Sequence, residues 1–143
     1  MTCTFFGHKN TPYIIESELR KTIIDLIENK NVTSFYVGHQ GNFDFIVRKN
    51  LDELCRIYPQ IQYFIILAYL PKQNDHSDDE YYEHTIYPDG LESVPPKFAI
   101  IKRNYWMIDK SDYVVTYIEH NFGNASKFKE RAERKGKIVI NIK

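Results

Sequence analysis

The stretch QYFIILAYL, which runs from Gln62 to Leu70, is nearly continuous in apolar residues. An uninterrupted apolar run of this length is typical of a strand that is covered by helices on both faces of its sheet. Because parallel sheets are the ones that are covered in this way, the stretch indicates an α/β protein.

Strands and helices alternate on both sides of this stretch. In chain order, the predicted elements are strand 2–6, helix 15–27, strand 33–37, helix 47–55, strand 62–70, helix 98–108, strand 112–118, helix 122–132 and strand 137–142. This alternation predicts one Rossmann-like, three-layer α/β/α domain over residues 1–143. Right-handed crossovers favour a five-stranded parallel sheet in the order 3-2-1-4-5, with the first strand at the centre.

Length and composition agree with a single domain. The chain has 143 residues, of which 43% are hydrophobic and 15% aromatic, so a sizeable core can form. Its two cysteines, Cys3 and Cys55, are too few for a disulfide scaffold and suggest a reducing compartment. Because no apolar run is long enough for a membrane span and the first residues do not resemble a secretory signal, we expect a cytoplasmic protein.

The formal net charge of zero hides an uneven distribution. Residues 72–96 carry 1 basic and 7 acidic side chains, whereas residues 97–143 carry 11 basic and 5 acidic ones. The acidic part predicts a surface loop insertion at about 71–96, with one short helical turn near Asp78–His84. Both a lid and a solvated loop are compatible with this composition.

Three polar, glycine-bearing segments follow predicted strands and precede predicted helices. They are Gly7 to Asn10, Gly38 to Asp44 and Glu119 to Ser126. Ligands of open α/β sheets bind beyond the carboxyl ends of the strands, where the strand order reverses. The first N–H groups of a helix have no intrahelical partner, so three helix starts around one crevice would hold a phosphate. Each glycine, taken singly, also fits a structural turn.

Individual residues in or near these segments have two interpretations. Arg103, on the helix before the fourth strand, could hold a phosphate with its planar fork or lie on the surface. Asn104 could bond a base or ribose, or cap a turn. Asp44 could accept ribose hydroxyls or only favour the helix dipole. Lys9 could contact a phosphate, while Asp44 and Glu119 are weak candidates for a catalytic carboxylate.

Histidines follow three of the predicted strands, at His8, His39 and His120. With Asp44 or Glu119 they could ligate a metal ion, but none of them has a tight ligand spacing. We therefore predict no metal site, and we expect these histidines to contact a ligand or water.

The order of motifs resembles the SLOG superfamily, the Rossmann-like group of DprA/Smf proteins and Lonely Guy phosphoribohydrolases, and above all its small bacterial YpsA/YspA-like members. The motifs are a strand before Gly7-His8-Lys9, Gly38-x-x-Gly41-x-x-Asp44, Arg103-Asn104-x-x-Met107 before Ser111-Asp112, and Ala132-x-x-x-Gly136-Lys137 before the last strand. The resemblance covers the chain apart from the acidic insertion. It implies a nucleotide-derived ligand that faces Gly38, Gly41, Asp44, Arg103, Asn104 and residues 123–126.

One position departs from the Lonely Guy pattern. Those enzymes carry a PGGxGTxxE loop whose glutamate is used in catalysis, and the matching position here is Lys127. An amine cannot replace that carboxylate, so phosphoribohydrolase activity is left in doubt, and whether the chain is an enzyme stays open.

The sequence therefore favours a module that binds or senses a nucleotide or nucleotide derivative, with no required cofactor. The predicted ligand-binding residues are Gly7, His8, Lys9, Gly38, His39, Gln40, Gly41, Asp44, Arg103, Asn104, Gly123, Asn124, Ala125 and Ser126. The alternatives are a nucleotide-processing hydrolase of the N-glycosidic or phosphoribohydrolase type and a DNA-binding protein similar to DprA. No membrane partner is expected, and self-association in the superfamily leaves a homodimer open.

Overall fold

A computed structural model describes residues 1–70, 84–119 and 123–143. The strands are β1 (Thr2–Gly7), β2 (Ser34–Val37), β3 (Gln62–Ile66), β4 (Thr85–Ile86), β5 (Tyr113–Tyr117) and β6 (Ile138–Asn141). The α-helices are α1 (Glu16–Asn29), α2 (Gly41–Ile57), α3 (Pro96–Asp109) and α4 (Asn124–Arg134), and short 3-10 helices cover Tyr13–Ile15 and Leu91–Ser93.

Within the described residues, six strands form one parallel sheet in the order β4-β3-β2-β1-β5-β6. The predicted Rossmann-like α/β fold is confirmed, with the first strand between β2 and β5. The prediction of five strands is wrong, because β4 adds a sixth at the edge beside β3. With only two residues, Thr85 and Ile86, β4 is too short for any alternation pattern to show in the sequence.

Part of the predicted insertion belongs to the sheet, because it contains β4. The amide of Leu67 donates to the carbonyl of Ile86 at 2.8 Å, which joins this segment to the end of β3. Thr85 and Ile86 are therefore part of the sheet, and Pro88 and Leu91 are buried, while most other residues between 84 and 96 are exposed. Residues 78–83 of the expected helical turn lie outside the described residues.

Helices cover both faces of the sheet. Neighbouring residues of a strand point to opposite faces, so one strand can contribute to two core clusters. Cys3 and Phe5 of β1 belong to one core cluster with the buried residues of α1 and α2. Phe6 belongs to a second cluster with Met107 of α3 and Phe128 of α4. These two clusters account for the three layers. No helix among the described residues is both long and apolar enough to cross a membrane.

The connection from β1 to α1 contains a hydrogen-bonded loop and a short 3-10 turn. The Thr11 hydroxyl donates to the carbonyl of His8 at 2.5 Å, and Pro12 precedes a 3-10 turn. Helix α1 consequently begins only at Glu16. The loop after β1 is thus shaped by its own hydrogen bonds before the helix starts.

Candidate ligand-binding cleft

A cleft of about 410 Å³ lies at the carboxyl ends of the strands. Its walls come from the end of β1 and the following loop, the turn between β2 and α2, the inner face of α3 and the first turn of α4. Because β1 leads to β2 on one side and pairs with β5 on the other, this is the point where the strand order reverses. It is the position at which open α/β sheets bind ligands.

The lining of this main cleft contains apolar side chains, which we call the apolar floor, and polar ones, which we call the polar rim. The floor consists of Phe5, Phe6, Ile100, Ile101, Met107 and Phe128, and the rim of His8, Lys9, Gln40, Asp44, Lys97, Arg103, Asn104 and Asn124. The rings of Phe6 and Phe128 pack with their centroids 5.2 Å apart. A cleft lined by both apolar and polar side chains suits a ligand that has an apolar part and a polar or charged part.

Arg103 is 2% exposed and is held by three hydrogen bonds. Its Nε donates to Oδ1 of Asn104 at 2.7 Å, its Nη1 to the carbonyl of Ile66 at 3.0 Å, and its Nη2 to Oε1 of Gln40 at 2.6 Å. Burial lowers the pKa of Arg103, and the nearby charge of Asp44 opposes that shift. The prediction that Arg103 lies on the surface is therefore wrong, because its side chain is buried, borders the cleft and ties α3 to the ends of β2 and β3. Its expected contact with a phosphate stays a prediction.

Asp44 lies in the first turn of α2 and is partly buried at the cleft. Its Oδ2 accepts a hydrogen bond from the backbone amide of Gln40 at 3.0 Å. Burial raises the pKa of Asp44 to about 6, although the Gln40 amide and the charges of Arg103 and Arg48 act in the opposite direction. A carboxyl with a pKa near neutrality, placed in a cleft, can exchange a proton with a bound ligand.

Gly38 lies close to the side chains of both Asp44 and Arg103. A Cβ atom at Gly38 would lie 2.7 Å from Oδ2 of Asp44 and 3.2 Å from Nη1 of Arg103. Gly38 is buried beneath these two side chains and is not part of the cleft lining. Its contribution is to let two charged side chains approach the backbone.

His39 follows Gly38 and is not part of the cleft lining. Its Nδ1 is buried without a hydrogen-bond partner among the described residues. Burial lowers the pKa of His39, and the positive charges of Arg103 and Arg48 lower it further. Both effects favour the neutral form of His39.

His8 connects the ends of β1 and β5. Its Nε2 accepts a hydrogen bond from the backbone amide of Glu119 at 3.1 Å. His8 and Lys9 border the main cleft and also a second depression of about 330 Å³, whose other lining residues are Asn10, Thr11, Pro12, Tyr117 and Glu119. Asp44 and Glu119, the two candidate carboxylates, thus belong to different cavities.

Two of the three expected helix starts border the main cleft. Asn124 and Ala125 form the beginning of α4, and Gln40 precedes α2. At α2 the amide of Asn42 already donates to the carbonyl of Lys9 at 2.9 Å, so part of this helix start is used within the protein. The start of α1 contributes no lining residue, because the 3-10 turn at Tyr13–Ile15 comes between it and β1.

Nine of the predicted ligand-binding residues line the main cleft: Gly7, His8, Lys9, Gln40, Asp44, Arg103, Asn104, Asn124 and Ala125. Five others lie outside its lining: Gly38, His39, Gly41, Gly123 and Ser126. His120 lies outside the described residues. Among the described residues, no group of three or more His, Cys, Asp or Glu side chains could hold a metal ion.

Gly41 and Gly123 shape the two helix starts. Both have positive φ values, 83° and 94°, which residues with a Cβ atom rarely adopt. A Cβ at Gly41 would also lie 2.9 Å from the Cα atom of Lys9. These glycines set the path of the backbone and bring Lys9 against α2.

The sequence interpretation missed Lys97 and the apolar floor. Lys97 is exposed in the first turn of α3, where its position after Pro95-Pro96 gave no sign of a site. Ile100, Ile101 and Met107 have the helical spacing of ordinary core residues, and only the fold reveals that they also face a cavity. Lys127, at the position of the Lonely Guy glutamate, is exposed and does not line the main cleft.

Comparison with known proteins gives a family and a fold neighbour. The model of the YspA SLOG family matches residues 2–139. The fold is similar to that of DNA processing protein A from Helicobacter pylori, whose described structure concerns single-stranded DNA binding. That likeness has a TM-score of 0.62 at 17% sequence identity, and it covers 97% of this chain but 63% of the other. A search of curated protein sequences finds no match.

Proposed function

This chain belongs to the YspA SLOG family, and we propose that its main cleft binds a nucleotide or nucleotide-derived ligand, so that the protein acts as a sensor or ligand-binding module. The observation that carries the proposal is the position of an amphipathic cleft of about 410 Å³ at the switch point of the sheet. Its volume falls within the usual range for small-molecule sites.

The two parts of the lining match the two parts of a nucleotide. The apolar floor, which includes Phe6 and Phe128, offers aromatic and aliphatic surface to a base. The rim offers the ammonium groups of Lys9 and Lys97 and the start of α4 to a phosphate. Helix N-termini favour anions because their first N–H groups are unpaired and partially positive. Asp44 supplies an acceptor for ribose or base donors.

Titration calorimetry of the folded protein against purine and pyrimidine mono- and diphosphates, cyclic nucleotides and ADP-ribose tests this proposal. We expect saturable binding of at least one compound with one site per chain. Uniform absence of binding, with the fold verified by circular dichroism, would overturn it.

Nucleotide hydrolysis is a second candidate function, and Asp44 is the observation that favours it. Its pKa is raised to about 6 in the cleft, as expected for a group that takes or gives a proton. Against it stands Lys127, which occupies the position of the Lonely Guy glutamate and lies outside the lining. Product formation from a bound nucleoside monophosphate, lost in Asp44→Asn, would favour hydrolysis. Binding without turnover would favour the binding module.

Single-stranded DNA binding is a third candidate, taken from the fold neighbour. Residues 97–143 carry 11 basic and 5 acidic side chains, which gives this part of the chain an excess of positive charge. However, this chain covers 63% of that neighbour's chain, so the likeness leaves out a third of it. Fluorescence anisotropy with a labelled oligonucleotide at two salt concentrations distinguishes this case, because phosphate contacts make the affinity fall steeply with salt.

A further inference from the structure

We propose that the ligand extends from the main cleft into the second depression, and that it is a nucleoside diphosphate carrying a sugar beyond its phosphates. This inference rests on the proposed function and names the class of ligand. It starts from a juxtaposition: His8 and Lys9 border both cavities, which measure about 410 and 330 Å³. A ligand with one end in each cavity must pass these two residues.

The ammonium group of Lys9 favours an anionic group at the boundary between the two cavities. Its side chain is exposed at the boundary, and among the described residues it takes part in no ion pair. An unpaired ammonium group at the joint between two cavities favours an anionic bridge, and a diphosphate provides one. The start of α4 lies in the same lining and offers further donors to the phosphates on the cleft side.

The second depression has the chemistry of a hydroxyl-binding site. Glu119 and Tyr117 line it together, and the Tyr117 hydroxyl donates to Oε1 of Glu119 at 2.6 Å. This bond fixes the carboxylate, which retains acceptor positions because an ionised carboxylate can accept about four hydrogen bonds. Asn10 adds an amide at the same rim. A ribose or another sugar has adjacent hydroxyls that match such acceptors, whereas a second phosphate would be repelled by Glu119.

The backbone holds this arrangement in place independently of the Glu119 side chain. The amide of Glu119 donates to Nε2 of His8, and that bond remains when the carboxylate is replaced. Glu119→Gln and Tyr117→Phe therefore change the hydroxyl-binding groups while leaving the boundary between the cavities intact. Glu130→Gln, on the exposed outer side of α4, is a matched control because Glu130 lines neither cavity.

Calorimetry with ADP and ADP-ribose tests the inference, because ADP-ribose adds a ribose to the terminal phosphate of ADP and carries one negative charge fewer. Tighter binding of ADP-ribose therefore cannot come from charge and must come from the added sugar. We expect ADP-ribose to bind about tenfold more tightly than ADP, as charge-assisted hydrogen bonds to the added sugar predict. Glu119→Gln and Tyr117→Phe should reduce this ratio to less than about twofold, whereas Glu130→Gln should preserve it.

The outcomes separate the inference from the function on which it rests. If ADP binds and ADP-ribose binds equally well or more weakly, the extended ligand is refuted while nucleotide binding stands. If the ratio is large but unchanged in Glu119→Gln and Tyr117→Phe, the second depression is not the sugar site and the inference fails. If neither compound binds and no other nucleotide does, the proposed function itself fails.

Discussion

Nη2 of Arg103 donates a 2.6 Å hydrogen bond to Oε1 of Gln40, 63 positions earlier in the chain. This bond joins α3 to the turn that precedes α2, and Gln40 in turn donates its amide to Asp44. The buried guanidinium of Arg103 therefore holds together the side of the cleft that is formed by α3 and the turn before α2. The three residues act as one unit, so a change in any of them should alter both stability and binding.

Replacing Arg103 by methionine should lower the free energy of unfolding by about 2–4 kcal/mol, because the carbonyl of Ile66 and the side chain of Gln40 lose a buried donor. Urea unfolding measures the change. Lys102→Met, at the exposed neighbouring position, should stay within about 0.5 kcal/mol of the wild type. If the Arg103→Met protein were as stable as Lys102→Met, the hydrogen bonds of Arg103 would not stabilise this side of the cleft.

Gly7→Ala should destabilise the protein by about 1–3 kcal/mol, because the added methyl group would lie 2.3 Å from the ring of Phe43. Phe43 is 1% exposed and cannot move aside without disturbing the core. Combining Gly7→Ala with Phe43→Leu should therefore cost less than the sum of the two single changes, by at least about 1 kcal/mol in a double-mutant cycle. Strict additivity would mean that the ring is not what excludes a side chain at position 7.

Asp44 should make stability depend on pH between about 4 and 7. Its pKa is raised from 3.8 to about 6 in the folded state, so the folded protein binds more protons than the unfolded chain in this range. The free energy of unfolding should therefore fall as pH rises through this range, by about 1–3 kcal/mol, and the loss should be complete above pH 7.

Comparison with Asp44→Asn isolates this contribution from other groups. The charges of Arg103 and Arg48, which act on both Asp44 and His39, remain in the variant, and so does His39 itself. The stability of Asp44→Asn minus that of the wild type should increase from pH 4 to pH 7, as measured by urea unfolding at each pH. A difference that does not vary with pH would contradict a raised pKa.

Lys9→Met should weaken the binding of a nucleoside diphosphate about three- to tenfold at low salt, because it removes a cation from the rim. The loss should shrink as salt is added, since screening weakens the contact that is lost. Lys110→Met, an exposed change outside both linings, serves as the control in the same titrations. Equal affinities of the two variants at low salt would remove Lys9 from the site.

Much of the fold was predictable because it depends on short-range patterns. The apolar run that begins at Gln62 and the glycines that end the first two strands define the α/β alternation, and right-handed crossovers then restrict the strand order. The strand at Thr85–Ile86 was not predictable, because two residues have no periodicity and their pairing with β3 is a tertiary event.

The candidate site was predictable only in part, for a similar reason. The position of the loops follows from the topology, so residues such as Lys9 and Asn124 were correctly expected at the same edge. Side-chain direction does not follow from topology. Packing between distant elements decides these directions. It buries Arg103, separates Glu119 from the main cleft and exposes Ile100 to that cleft.

Filling the main cleft tests most directly whether this cleft holds the nucleotide. Ala125 is half-buried in the first turn of α4 and lines the cleft, so Ala125→Phe should block it, whereas Glu130→Phe places the same ring on the exposed side of that helix. In calorimetry with a nucleotide that the wild type binds, we predict at least about tenfold weaker binding for Ala125→Phe and unchanged binding for Glu130→Phe. Unchanged affinity in a folded Ala125→Phe protein would show that the ligand binds elsewhere and would contradict the account.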